Sequence, residues 1–210
     1  MSIEIKRSIK PVDYSYAINL MEKRLEKVIN NNANELIWFL EHDEIYTAGT
    51  SSNQSDVLDK SIKIVKTSRG GKITCHSPGQ LICYFVIDLS KRGKDIRKFI
   101  ITLENSIIDT FKEFKIITSS DRKNIGIWIN HNQESKKIAA IGVRVKKWVA
   151  YHGFSININN NLNYFKKIVP CGLKNKKVIS LKKISKIKNT DFINKLEKNL
   201  IKNLSVSNYS

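Results

Sequence analysis

The stretch QLICYFVIDL (80–89) is the segment that most restricts how this chain can fold. Its residues are almost all apolar, and β-branched and aromatic side chains of this kind favour a β-strand. Apolar residues do not alternate with polar ones, so both faces of the strand need to be covered. A strand with this pattern is typical of the middle of a sheet. The chain therefore requires a sheet that has further strands beside this one.

Three amphipathic helices are predicted around that strand. Apolar residues recur at helical spacing over 14–29, over 96–114 and over 192–204. Asp13 is a suitable N-cap for the first helix because its carboxylate can accept a hydrogen bond from a free backbone N–H.

The remaining apolar segments predict further strands. They cover 34–42, 62–68, 124–129, 137–153 and 154–159, with a short apolar segment at 168–173. The segments 124–129 and 137–153 are interpreted as a pair of strands joined by the polar turn NHNQES, and 154–159 extends the sheet. Strict β-α-β alternation is absent, which disfavours a doubly wound fold. The fold class predicted is α+β, with a mixed, largely antiparallel sheet flanked by helices in one domain that covers residues 1–210.

The chain carries a large excess of positive charge. There are 37 basic and 19 acidic residues among 210, for a net charge of +18. Such a surface attracts anionic partners, but the abundance of Lys, Ile and Asn is also typical of a compositional bias of the genome. Both explanations stay open. A nucleic-acid-binding domain is disfavoured because the sequence has no recognition helix or aromatic-rich binding strand.

The cysteines and the N-terminus predict a cytoplasmic protein. Cys75, Cys83 and Cys171 are odd in number and widely spaced, which argues against a disulfide framework. The N-terminal segment has no uninterrupted apolar region of the kind that signal peptides contain. No run is long and apolar enough to span a membrane.

The segment RGGKITCHSPGQ (69–80) offers several chemistries. A phosphate loop is disfavoured because a strand, not a helix N-terminus, is predicted after it. A metal site is disfavoured because ligand pairs with the usual spacing are missing. A dyad of Cys75 and His76 is disfavoured because neighbours on a strand point to opposite faces. Cys83 lies inside the apolar strand and is interpreted as core packing.

Cys171 stands in a different context, between Pro170 and Gly172. Residues of this type at a turn fit either a small buried side chain or a presented thiol. A nucleophilic thiol needs a nearby base or cation, and either Lys136 or Lys137 at the start of the strand KIAAIGVRV is a candidate. The local sequence does not decide between these possibilities.

Several motifs in the same order along the chain resemble those of lipoate-protein octanoyltransferases. That family carries R-G-G-x-x-T-x-H-G-P-G-Q, which is matched at 69–80 except that Ser77 replaces a glycine. The segments that match the other motifs are EHDEIYTAG (41–49), KIAAIGVRVKKWVAYHGFSININ (137–159), VPCGL (169–173) and VISL (178–181). Serine is acceptable before Pro78 if the backbone there is extended.

The resemblance implies the fold of biotin and lipoate protein ligases and assigns the site residues. Cys171 is implied as the nucleophile that forms an acyl thioester, and Lys137 as the general base that lowers the pKa of the Cys171 thiol; the register against I-A-A-I-G favours Lys137 over Lys136. The residues implied to bind substrate are Arg69, Gly70, Gly71, Lys72, Ile73, Thr74, Cys75, His76, Ala140, Ile141, Gly142, Gly153, Phe154 and Ser155.

The resemblance also implies the reaction and its partners. The group transferred is octanoyl or lipoyl, the donor is octanoyl-acyl carrier protein, and the acceptors are apo lipoyl domains of 2-oxoacid dehydrogenases and the glycine cleavage H protein. No ATP, metal or other cofactor is implied, and neither nucleic acid nor a membrane is an expected partner. The alternative is an ATP-dependent lipoate–protein ligase, which shares the fold but needs no nucleophilic cysteine.

Overall fold

The structure, a computed structural model, describes residues 2–169 and 177–206. The predictions for Cys171 and for most of the segment 168–173 therefore lie outside the described residues. The helices are α1 (Tyr14–Ile29), α2 (Ile96–Glu113) and α3 (Asn189–Val206). The strands are β1 (Ile3–Arg7), β2 (Glu35–Leu40), β3 (Ile45–Ala48), β4 (Ile64–Lys66), β5 (Ile73–His76), β6 (Gln80–Asp88), β7 (Ser119–Ser120), β8 (Ile127–His131), β9 (Glu134–Lys146), β10 (Val149–Asn157) and β11 (Lys177–Val178).

The described strands form one large sheet and one small sheet. The large sheet runs β1-β2-β6-β10-β9-β8-β7, with β11 paired to β9, and the small sheet runs β4-β3-β5. The pairs β1–β2, β9–β11 and β3–β4 are parallel, and the other pairs are antiparallel. The predicted class, α+β with a mixed and largely antiparallel sheet, is confirmed.

Strand β6 lies in the middle of the large sheet, as its apolar sequence predicts. It pairs with β2 on one side and with β10 on the other, and all nine of its residues are buried. Because successive side chains point to opposite faces, β6 contributes to two separate apolar layers. Ile82, Tyr84 and Val86 pack in the layer that contains α1, whereas Cys83 and Phe85 pack in the layer that contains α2 and α3.

The three helices are also confirmed, and their ends follow local rules. The Asp13 carboxylate accepts a hydrogen bond from the backbone N–H of Tyr16 at 2.8 Å and caps α1. Asp95 caps α2 in the same way, through the backbone N–H of Lys98 at 2.9 Å. Among the described residues, no helix has both the length and the apolar character that crossing a bilayer requires.

The prediction of one strand over 137–153 is wrong. The chain forms a hairpin in which β9 and β10 are joined by a two-residue turn at Lys147 and Trp148, and β10 continues without interruption into the predicted segment 154–159. Both turn residues are left-handed, with φ of 48° and 63°. A turn of this type normally contains Asn or Gly, so the sequence carries no signal for it.

Three strands of four or five residues, β1, β3 and β5, are absent from the prediction, as are the two-residue strands β7 and β11. Strand β1 adds a parallel edge to the large sheet, and β3 and β5 form the small sheet with β4. Each has five residues or fewer, and their partners are distant in the sequence. Tertiary pairing, which local patterns do not encode, therefore determines them.

A buried ion pair joins β2 to the end of β6. Both carboxylate oxygens of Glu35 accept hydrogen bonds from the guanidinium of Arg92, at 2.5 and 2.7 Å, and Glu35 also accepts one from the backbone N–H of Asp88 at 2.7 Å. Glu35 is 2% exposed. A bidentate ion pair of this kind compensates charges that would otherwise be costly to bury.

We expect Glu35→Ala to lower the free energy of unfolding by about 3–5 kcal/mol, because it leaves the Arg92 charge buried without its partner. Urea denaturation followed by circular dichroism measures the change. Glu134→Ala is the matched control, since Glu134 pairs with Lys177 while both side chains are about half exposed, and we expect it to cost below about 1 kcal/mol. Equal losses of unfolding free energy in the two variants would contradict the stabilising role given to the buried pair of Glu35 and Arg92.

Candidate active site

A cavity of about 750 Å³ lies where the segment between β4 and β5 meets β9 and β10. Its volume is within the range of about 300–1,000 Å³ that is typical of small-molecule sites. The wall consists of residues from α1, β5, β6, the start of α2, the segment before β8, β9 and β10. They are Tyr14, Ser51, Arg69–Thr74, His76, Ile82, Tyr84, Ile96, Ile100, 123–125, Lys137, 140–145 and 152–155.

Close packing of glycines forms one side of this wall. A Cβ atom at Gly70 would lie 2.7 Å from the carbonyl oxygen of Val143, and one at Gly142 would lie 3.1 Å from the carbonyl oxygen of Gly70. The segment that contains Gly70 therefore approaches the backbone of β9 more closely than a larger residue would allow. The prediction that Gly70, Gly71 and Gly142 lie on one cavity wall agrees with this geometry.

Arg69 fastens that segment to the small sheet. Its Nη2 atom donates hydrogen bonds to the backbone oxygen of Thr47 at 2.8 Å and to the Thr47 hydroxyl at 2.9 Å. Its Nη1 atom donates to the carbonyl oxygen of Gly70 at 3.0 Å. Backbone N–H groups of 49–51 donate to the carbonyls of Lys72, Arg69 and Gly71. Arg69 thus positions the wall segment and is not a solvated surface charge.

Lys137 lies on the same cavity and is 5% exposed. Its Nζ atom donates a hydrogen bond to the carbonyl oxygen of Ile125 at 3.0 Å and lies 4.7 Å from the centre of the Trp128 ring. Gly126, at a φ of 138°, makes room for it, because a Cβ there would lie 3.3 Å from Nζ. Lys136 instead forms an ion pair with Glu134 at 3.2 Å and is absent from the wall.

Cys75 and His76 point in opposite directions, as expected for neighbours on a strand. Cys75 packs against Tyr46, Ile73 and Phe165 in a small apolar cluster, and it is not part of the cavity wall. Cys75 is thus the one predicted substrate-binding residue that this wall does not include, and its binding role stays a prediction. Burial raises the pKa of the Cys75 thiol to about 12, so this thiol stays protonated at neutral pH.

His76 faces the cavity but is held in a buried hydrogen-bond network. Its Nδ1–H donates to the side-chain oxygen of Gln80 at 2.7 Å, and the Gln80 amide donates to Asn157 at 2.9 Å. Burial, with the neighbouring His42, lowers the pKa of His76 to about 3, so the ring is neutral at physiological pH. Its role in the network is structural. Within 2–169 and 177–206, no three His, Cys, Asp or Glu residues cluster as metal ligands would.

Strand β10 supplies the floor through Gly153, Phe154 and Ser155, all predicted from the sequence. A Cβ at Gly153 would lie only 1.8 Å from the carbonyl oxygen of Cys83 in β6, so only glycine fits there. Ser77, which replaces the glycine of the motif, is absent from the residues with positive φ. The serine therefore fits at this position without the backbone strain that a left-handed conformation would cause.

Several wall residues carry no recognisable signal in the sequence. Tyr14 is on the apolar stripe of α1, and Ile96 and Ile100 are on that of α2, so they read as core. Tyr84 is in the central strand, where its hydroxyl donates to Nε2 of His42 at 2.9 Å. These residues border the cavity only because elements that are distant in the sequence come into contact there.

Comparison with known proteins identifies the family. The sequence model of the family described as the lipoyl protein ligase A/B catalytic domain matches residues 13–201. An octanoyltransferase from Wolbachia sp. subsp. Brugia malayi is 44% identical over 82% of this chain and 85% of its own length. One from Anaplasma phagocytophilum is 42% identical over 89% of this chain and 90% of its own length.

Solved structures show the same fold at low identity. The crystal structure of lipoate-protein ligase A bound with ATP has a TM-score of 0.72 at 13% identity and covers 96% of this chain and 86% of its own. Biotin protein ligase from Aquifex aeolicus with biotin and ATP has a TM-score of 0.56 at 15% identity, over 99% of this chain and 72% of its own. The family match and the close relatives together establish that the chain belongs to the lipoyl protein ligase A/B catalytic domain family and is an acyltransferase of its octanoyltransferase group.

Proposed function

We propose that the enzyme transfers an octanoyl group from octanoyl-acyl carrier protein, through a thioester on Cys171, to a lysine of an apo lipoyl domain. The acceptors are the lipoyl domains of 2-oxoacid dehydrogenases and the glycine cleavage H protein. The reaction uses neither ATP nor a metal ion, because a thioester already carries an activated acyl group.

The first step exchanges one thioester for another. The Cys171 thiolate attacks the thioester carbonyl, a C–S bond to Cys171 forms, and the C–S bond to the carrier breaks. The carrier's thiol leaves with the proton that Lys137 removed from Cys171. In the second step the ε-amine of the acceptor lysine attacks the acyl-enzyme, a C–N bond forms and the C–S bond to Cys171 breaks. Lys137 takes the proton that the amine loses and returns it to the Cys171 sulfur. A free lysine has a pKa of about 10.4, so its amine must lose a proton to react at neutral pH.

The position of Lys137 carries this proposal. Lys137 is buried on the wall of a cavity. Its Nζ atom lies 3.0 Å from a carbonyl oxygen and beside an aromatic ring, so protein groups replace most of the water that surrounds a surface lysine. Such an environment is typical of lysines that exchange protons in catalysis.

Strand pairing supports the partnership of Lys137 with the segment that contains Cys171. Val178, seven residues after Cys171, pairs with Lys137 in the β9–β11 ladder. The backbone N–H of Ile179 donates to the carbonyl oxygen of Lys137 at 3.0 Å. The chain that continues from Cys171 is therefore bonded to the strand residue proposed as the base.

The environments of the other two cysteines favour Cys171 as the nucleophile. Cys83 is fully buried in the large core, and burial raises the pKa of its thiol well above the ordinary value. Cys75 has a raised pKa for the same reason. A nucleophilic cysteine must supply a thiolate, which neither of these two thiols does at neutral pH.

We expect the wild-type enzyme to gain the mass of one octanoyl group when it is mixed with octanoyl-acyl carrier protein without ATP. Cys171→Ala should gain none, because it lacks the attacking sulfur, whereas Cys75→Ala should be acylated like the wild type. Intact-mass spectrometry measures the adduct, and hydroxylamine should remove it, as it does a thioester. Strict dependence on ATP and free octanoate would instead identify a ligase.

We expect Lys137→Ala to slow both half-reactions by about 100-fold or more, the range that removing a general base produces. Lys136→Ala is the matched control: this neighbouring lysine forms an ion pair with Glu134 and should leave both rates within about twofold. Rapid-quench mass spectrometry resolves acylation from transfer. The role of Lys137 would be refuted if both lysine variants reacted at the wild-type rate.

A further inference from the structure

His152 has an unusual backbone conformation for a residue inside a buried strand. Its φ is 70°, although it lies in the middle of β10 and is 2% exposed. A side chain in this left-handed region costs about 1–3 kcal/mol unless the surroundings stabilise it. Glycine would adopt the same conformation without that cost. We therefore expect the imidazole to make contacts that offset it.

The conformation turns both the backbone and the side chain of His152 out of the regular strand pattern. Its backbone N–H donates to the sulfur of Met21 in α1 at 3.2 Å. Its ring stacks on that of Tyr151, with centroids 4.7 Å apart and planes at 24°. Neighbouring side chains of a regular strand point to opposite faces, so this stacking depends on the left-handed residue.

The redirected ring contacts Ser68, the residue before the wall segment. Nε2 of His152 and Oγ of Ser68 are 3.0 Å apart and share a hydrogen bond. The Arg144 guanidinium donates to the carbonyl oxygen of the same serine at 2.9 Å. Ser68 directly precedes the Arg69-Gly70-Gly71 wall segment, so two contacts from the β9–β10 hairpin hold the residue where that segment begins.

The imidazole is neutral in this setting. Burial, together with the charges of Arg69 and Arg144, lowers the pKa of His152 to about 3. At physiological pH the ring therefore acts as an uncharged hydrogen-bond partner and not as a cation.

We propose that His152 is a positioning residue, whose hydrogen bond with Ser68 fixes the start of the 69–71 wall segment at the distance from β9 that binding of the acyl donor requires. The proposal rests on the octanoyl transfer proposed above, because the segment it positions is part of the same cavity. His152 stays outside the bond-making steps and acts through the shape of the wall.

The contact can be removed from either side with a residue that tolerates the local backbone conformation. Ser68→Ala deletes the hydroxyl, and His152→Gly deletes the ring but keeps the left-handed conformation. In each variant we expect the KM for the octanoyl donor to rise about 2- to 10-fold, the effect of one lost hydrogen bond, with kcat nearly unchanged because the reacting groups are intact. The double variant should show no further rise, and Ser68→Thr, which keeps a hydroxyl, should restore the wild-type KM.

Hydrogen exchange tests the same contact without any turnover. The backbone N–H groups of Gly49, Thr50 and Ser51 donate to carbonyls of the wall segment, so their exchange should accelerate in Ser68→Ala and His152→Gly. It should stay unchanged in the control Ser55→Ala, an exposed serine outside the cavity. Unchanged exchange and unchanged KM in both variants would overturn the proposal. If the wild type formed no acyl-enzyme, the transfer mechanism would fail, and exchange alone would still decide whether the contact fixes the segment.

Discussion

The close approach of β10 to β6 at Gly153 is the constraint on which the rest of the site depends. A side chain there would overlap the backbone of Cys83, so the two strands lie together only because residue 153 is glycine. Since β9 is the other half of the β9–β10 hairpin, this contact also fixes the strand that carries Lys137 and Gly142. The position of the cavity wall thus follows from the packing at the centre of the sheet.

Local sequence patterns predicted the elements in which a regular pattern of apolar residues extends over many positions. The helices α1, α2 and α3 and the central strand β6 were predictable because each has many apolar residues at one spacing. The turn at Lys147 and Trp148 was not, because two left-handed residues with large side chains give no turn signal. For the site, the motif at 69–80 predicted one stretch of the wall, Arg69–Thr74 and His76, whereas the side chain of Cys75 packs in the small apolar cluster instead.

The charge of the described cavity wall is entirely positive. Arg69, Lys72, Lys123, Lys137 and Arg144 line it, no Asp or Glu does so among the described residues, and the two wall histidines are neutral at physiological pH. The acyl transfer proposed above would develop negative charge on a thiolate and on a tetrahedral oxyanion, and nearby positive charge stabilises both. The positive charge of the wall is therefore a feature of the site itself, separate from the net charge of +18 over the whole chain.

Burial distinguishes residues that have a structural role in and around this site from residues that are able to react. His76 and His152 are titratable types, but burial holds each in its neutral form and each is committed to a hydrogen bond, with Gln80 and Ser68 respectively. Cys75 and Cys83 are nucleophilic types whose thiols burial keeps protonated. A fold shared by enzymes with different chemistries does not specify the reaction. The reaction proposed above therefore depends on particular groups and not on the fold: Cys171 as the nucleophile, and Lys137, whose Nζ atom lies on the described wall and donates to the carbonyl oxygen of Ile125.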